Sequence, residues 1–289
     1  VIVDVHTHTP SHVDEVPPSQ QRSNDAWGGG HVHTTQSWAD YAAGVTAADI
    51  TIVFHIAVDD SWRDTGLPPT RTDGNTATAS FVRSDPRRRI GFCSVNPAST
   101  NWRDELDRAQ DLGLVGIKLG ANYQRFDPLG AQARELYRLA EKRGLPILFH
   151  QGASPITAAP LAASHPLVTD EIAMLYPELR IVMAHLGHPF TREAVTVIRK
   201  HPHVYADVSA LVMRPWTAYE GLLFAQEWGA LPKLLFGSDY PIMSPAATIE
   251  ALRAVNDVRA GTRMPMIDPD AVEAIIHADA LGALALERP

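Results

Sequence analysis

The chain has 289 residues, 45% hydrophobic and 20% charged, with 25 Lys and Arg against 33 Asp and Glu for a formal net charge of −8. This is the balance of a soluble globular protein with enough chain for a full core. The absence of a basic block argues against nucleic acid as a main partner, and no apolar run approaches the roughly 18 residues that cross a bilayer. A single cysteine, Cys93, excludes an internal disulfide; with no leader pattern in view, a reducing cytoplasm is the expected compartment.

The first apolar run, residues 1–5, leads into Asp4-Val5-His6-Thr7-His8. Residues two apart on an extended strand share a face, so His6 and His8 can grip one cation. Asp4 lies one step deeper on that face, placed either to orient a ligand imidazole or to pack structurally. Residues 9–48 then carry Pro10, Pro17, Pro18, Gly28-Gly29-Gly30, His12, His31, His33, Trp27, Trp38 and Tyr41. A connection this long needs a reason. A lid or pocket wall is expected, with a surface excursion or an oligomer contact as the plainer alternatives.

The second run is 49–56, followed by a polar, turn-rich connection over 59–81. The third, 90–95, holds Cys93 as a buried structural thiol. A helix is expected over 102–112, and a fourth strand, 115–119, contains Lys118. Leu136, Leu139 and Ala140 give helical spacing over 131–142, with Gly144 ending the helix. The fifth strand, 146–149, delivers His150; the sixth, 180–184, delivers His185, with His188 three positions on. A helix over 193–200, a seventh strand over 204–208, a possible pocket wall at 213–216 and a helix over 217–226 follow. The eighth strand, 233–236, runs into Gly237-Ser238-Asp239-Tyr240-Pro241. Ser244-Pro245 and Asp268-Pro269 are cap-and-first-turn signals for helices over 246–259 and 270–286.

Eight short Val/Ile/Leu/Phe-rich runs alternating with helical patterns predict an α/β fold, a (β/α)₈ TIM barrel with a long loop insertion after strand 1, in a single domain over 1–289. A doubly wound open sheet is the alternative. It does not naturally gather the ends of strands one, five, six and eight, whereas a barrel does. Histidine nitrogens with one carboxylate suit Zn²⁺ best and also fit Mn²⁺, Fe²⁺ or Co²⁺; Ca²⁺ and Mg²⁺ prefer oxygen shells. Lys118 has three readings: a cation for a substrate carboxylate, a carbamate bridging two metals, or an internal ion pair with an acid such as Asp239. His188, Arg22 and Arg125 are the remaining substrate-binding candidates, with Arg214 weaker.

DVHTH at 4–8, GIKLG at 116–120, ILFHQG at 147–152, MAHLGHP at 183–189 and LLFGSDYP at 234–241 together resemble the amidohydrolase superfamily. More narrowly they resemble the amidohydrolase-related group of metal-dependent hydrolases, lactonases and aminocarboxymuconate-semialdehyde-type decarboxylases. The resemblance spans essentially the whole chain and implies a distorted (β/α)₈ barrel. It implies one divalent metal held by His6, His8, His150 and Asp239, with His185 acting on water or substrate, or ligating a second metal. The expected activity is hydrolysis of an ester, lactone or amide-like bond in a small molecule, with Asp239 and His185 catalytic. Non-oxidative decarboxylation is the runner-up, and a non-catalytic metal-binding protein the third reading. The expected partner is a small-molecule substrate, with neither nucleic acid nor membrane; a homodimer is possible on general grounds.

Overall fold

The apolar runs form strands that bury one face among themselves and the other beneath helices. The computed structural model describes residues 1–10, 37–57, 74–154 and 159–289. Arg22, most of the 9–48 connection and most of 59–81 lie outside the described residues. Among the described residues the strands are β1 (Val3–His8), β2 (Ile50–Phe54), β3 (Arg89–Gly91), β4 (Cys93–Ser94), β5 (Ile117–Leu119), β6 (Ile147–Phe149), β7 (Ile181–Met183), β8 (Val204–Asp207) and β9 (Leu234–Leu235). Every pairing is parallel, in the orders β1-β2-β3 and β4 through β9.

The expected third strand is thus two pieces broken at Phe92. The reason is a change of partner: Phe92 N donates to Val53 O at 3.0 Å, whereas Cys93 N donates to Gly116 O at 2.8 Å. At the other end of the order, Val5 N donates to Phe236 O at 3.0 Å and Asp239 N to His6 O at 2.9 Å, so the segment after β9 lies against β1. Thr7 and Tyr240 make a parallel bridge there.

Side-chain alternation divides the core in two. Leu148, Val182 and Leu235 join Val3, Val5, Ile50, Ile52, Phe54 and Phe92 in an inner cluster. Their strand neighbours Ile147, Phe149, Ile181, Met183 and Leu234 face outward into a larger cluster shared with the helices. Burial on both faces explains why these strands read as continuous apolar runs rather than alternating ones.

The helices are α1 (Trp38–Gly44), α2 (Gly74–Ser84), α3 (Trp102–Asp111), α4 (Ala121–Gln124), α5 (Ala131–Arg143), α6 (Pro166–Leu175), α7 (Thr191–Lys200), α8 (Pro215–Glu227), α9 (Pro245–Arg253), α10 (Pro269–Ile276) and α11 (Ala280–Leu284). The expected caps are present: Ser244 Oγ accepts from Ala247 N, Asp268 from Asp270 N, and Gly144 ends α5 with φ 66°. Several helices depart from expectation. α2 occupies part of the connection read as turn-rich; its buried side mixes Asn75 and Thr78 with Ala79 and Phe81, which weakens the apolar stripe. α6 follows β6 where no helix was expected, and 270–286 divides into α10 and α11. The helix expected over 246–259 stops at Arg253 and continues as a 3₁₀ turn, Val255–Arg259. Cys93 is buried at 1% exposure, as expected of a structural thiol, and burial pushes its pKa up to about 12. Among the described residues no helix is long and apolar enough to cross a membrane.

Candidate metal centre

β1 carries the first two ligand candidates. A register shift between Asp4 and Thr7 bulges the strand against β2, and such bulges re-aim side chains. Thr7 points outward, its Oγ1 donating to Ile52 O at 2.6 Å and pairing with the Tyr41 hydroxyl of α1 at 2.5 Å. His6 and His8 point the other way. Their Nε2 atoms stand 3.3 Å apart, and Asp239 Oδ1 lies 3.2 Å from the first and 3.0 Å from the second. Ligand atoms held about 2.0–2.1 Å from a Zn²⁺-sized ion at octahedral to tetrahedral angles lie roughly 2.8–3.4 Å apart, so this triangle has the dimensions of a coordination face.

Tautomer assignment supports the same reading. His6 Nδ1 lies 2.9 Å from Asp207 Oδ2, so its proton belongs there and Nε2 presents a lone pair to the triangle. Burial, and then Lys118, lower the His6 pKa to about 3, keeping the ring neutral. Burial also lowers His8, against the opposing pull of Asp239. For Asp207 and Asp239 burial acts to raise the pKa, but the neighbouring histidines outweigh it and hold both carboxyls well below the usual range. The charge of each pair therefore sits on the carboxylate.

His150, at the end of β6, is 4% exposed, and its Nε2 is buried with no hydrogen-bond partner among the described residues. Its ring lies 5.2 Å from that of His185, which in turn lies 4.8 Å from His6. Burial, and then the neighbouring His185, push the His150 pKa well below the ordinary histidine value. A neutral, buried imidazole nitrogen without a partner is costly unless something electropositive meets it. The donor set and this orphaned nitrogen fit a divalent cation.

His185 is gathered to the same place with His6 and Asp207. Its backbone N donates to Asp207 Oδ1 at 2.9 Å, and Nδ1 faces Ser209 O at 3.1 Å and Ser209 Oγ at 2.8 Å. Its own φ is 61°, Leu186 follows at 46° and Asp239 stands at 63°. Left-handed backbone at non-glycine residues is strained and concentrates at functional sites. Lys118 is fully buried, with Nζ 3.2 Å from His6 Nε2 and 4.5 Å from the Phe54 ring centroid. Burial lowers its pKa to about 7 against the pull of Asp239 and Asp207.

His188 is buried with its ring 6.0 Å from His185, and burial followed by His185 and Arg214 lower its pKa to about 3. Arg125 is exposed at the left-handed end of α4. Arg22 lies outside the described residues.

Two residues were not anticipated from the sequence. Asp207 and Ser209 tie His6 to His185 across β8. Asp4 does not orient an imidazole: its carboxyl accepts from His6 N at 3.1 Å, Ser238 N at 3.0 Å and Ser238 Oγ at 2.6 Å. It fastens the Ser238–Asp239 turn to β1, and Asp207 performs the orienting role. Burial pushes the Asp4 pKa up to about 7 despite those bonds.

Behind His150, Gly152 has φ 87°, and a Cβ there would stand 2.1 Å from His188 O. Gly152→Ala is therefore expected to cost roughly 1–3 kcal/mol or more of stability through strain and collision. Thermal unfolding of the variant checks this; an unchanged midpoint would show that the turn can relax.

An amidohydrolase family model matches residues 3–280. The chain belongs to the amidohydrolase family. No curated protein matches this amidohydrolase. Among solved structures it resembles an uncharacterised TIM-barrel protein from Bordetella bronchiseptica, with TM-score 0.75, 18% identity and 98% of each chain covered. A probable 2-pyrone-4,6-dicarboxylic acid hydrolase from Acinetobacter baumannii gives TM-score 0.65 at 15% identity, covering 99% of each chain. A dihydroxybenzoic acid decarboxylase from Polaromonas, with manganese and the inhibitor 2-nitroresorcinol bound, gives 0.62 at 14% identity, covering 100% of this chain and 98% of that one. At such identities the likeness carries the fold, a parallel-strand α/β architecture of the TIM-barrel type.

Proposed function

We propose that this amidohydrolase is a metal-dependent hydrolase that opens an ester, lactone or amide-like bond in a small carboxylated molecule. The observation that carries the reading is the triangle of His6 Nε2, His8 Nε2 and Asp239 Oδ1 beside the unpartnered His150 Nε2. These four residues would hold one divalent cation, Zn²⁺ by donor type, with Mn²⁺, Fe²⁺ and Co²⁺ compatible. Such an ion supplies Lewis acidity, polarising a carbonyl and acidifying water. Asp239, kept ionised by its histidine neighbours, takes the proton of attacking water and returns it to the leaving group. His185, fixed through Ser209 and Asp207, orients water and steadies charge developing on oxygen. Lys118 meets a substrate carboxylate, with His188, Arg125 and Arg22 as further contacts.

Lys118 also favours a second reading. A buried amine beside the ligand triangle is suited to hold the carboxylate of an acid that loses CO₂. A manganese-bound decarboxylase and a probable pyrone-dicarboxylate hydrolase, both sharing this fold, make the choice one for experiment. Elemental analysis of untreated protein, joined to a screen of lactones, esters and unsaturated or aromatic acids, decides it. Release of a new acid group, lost on chelation and restored by metal, supports hydrolysis. CO₂ release selects the second reading, and activity unchanged after complete metal removal refutes both.

A further inference from the structure

Beside the centre, α4 presents a polar side chain that the metal reading does not use. Asn122 is 1% exposed, and both its Oδ1 and its Nδ2 lack a hydrogen-bond partner among the described residues. The next residue, Tyr123, packs its ring 4.5 Å from that of His150. The Tyr123 hydroxyl interacts with both Ser154 and the Asn122 amide, but its contact with Asn122 lacks hydrogen-bond geometry at either amide atom. Gly120 lets the three residues pack closely together: a Cβ there would stand 2.8 Å from the Tyr123 ring, 3.5 Å from His150 Cβ and 3.6 Å from Asn122 Oδ1.

A carboxamide is at once a donor and an acceptor. Leaving both halves buried and unbonded is costly, and such exceptions call for an explanation outside stability. The matching ligand group must likewise accept and donate. A second carboxylate fits badly, because its oxygens would meet Oδ1 with no proton between them. A carboxamide, or a hydroxyl beside a carbonyl or carboxyl oxygen, fits both halves.

We propose that Asn122 and Tyr123 form a substrate subsite beside His150 that selects a neutral amide or hydroxyl-carbonyl group over a second carboxylate. The assignment rests on the functional reading above for the position of the reacting group, which His150 borders.

The test compares matched small acids by ligand-observed NMR on protein with and without added Zn²⁺ or Mn²⁺: succinamate against succinate, and 2-hydroxybutanoate against butanoate. The wild type is expected to prefer the first of each pair by about tenfold, one hydrogen bond's worth. Asn122→Ala, and the near-isosteric Asn122→Asp, should erase the preference while metal content stays unchanged. Because neither amide atom has a hydrogen-bond partner among the described residues, Asn122→Ala should also leave the melting temperature unchanged or raised. The assignment is overturned if the wild type shows no preference with or without metal, if the preference survives in Asn122→Ala, or if that variant melts several degrees lower. Metal content measured alongside separates its failure from that of the metal reading: full metal with no preference defeats the subsite alone.

Discussion

Asp239→Asn is expected to lower turnover by about two to four orders of magnitude and to reduce metal occupancy with it. Oδ1 of this carboxylate faces both His6 and His8, and it is also the proposed proton acceptor. An amide keeps the shape but loses the charge and the basicity. The substitution is well chosen on backbone grounds too. Asp239 sits at φ 63°, and asparagine is among the few residues that tolerate the left-handed region, so the loop should survive. Turnover measured beside elemental analysis separates the two losses. A variant with full metal and near-normal turnover would remove Asp239 from both roles.

Asp207→Asn is the second large effect. Oδ2 receives the His6 Nδ1 proton, and Oδ1 receives His185 N, Ser209 N and the Ser209 hydroxyl. An amide must turn its NH₂ toward one of those donor sets. If it faces His6, the imidazole proton moves to Nε2 and the lone pair leaves the triangle. If it faces the Oδ1 side, the left-handed turn at His185 loses its anchor. In either case metal affinity should fall by about 10–100-fold, the usual cost of losing a group that orients a ligand histidine. Competition against a chromogenic chelator measures this, with circular dichroism to check the fold. Unaltered affinity in a folded variant would mean that His6 is held by packing alone.

Much of this centre could be read from the chain because one rule serves five residues. His6, His8, His150, His185 and Asp239 each lie at or just beyond the end of an apolar strand, where parallel strands deliver side chains to one face. Asp207 obeys the same rule and was still hidden. Its run, Val204-Tyr205-Ala206-Asp207-Val208, stays apolar past the carboxylate, so the expected strand absorbed it. Of the two roles open to Asp4, the structural one is found, since strand periodicity gives the face of a side chain but not which carboxylate reaches a ring. α2 was hidden for a different reason. Its buried Asn75 donates to Ser94 O at 3.1 Å and to Glu105 Oε1 at 2.6 Å, so the helix is held partly by polar bonds and gives only a weak apolar stripe. Asn122 gave no signal at all: its interest lies in bonds it does not make, which no spacing reveals.

The hydrogen bond from Asp239 N to His6 O has a meaning for the order of events in synthesis. The ligand candidates His8 and Asp239 are 231 positions apart, so His8 leaves the ribosome long before its partner exists. Until the segment after β9 lies against β1, a cation at the triangle lacks the Asp239 carboxylate. Such long-range closure is slow, and an ion that binds only the finished arrangement adds its binding free energy to folding. Metal uptake would then mark the docking of the segment after β9 on β1, and early unpairing of those two segments would release the ion before the rest of the protein unfolds.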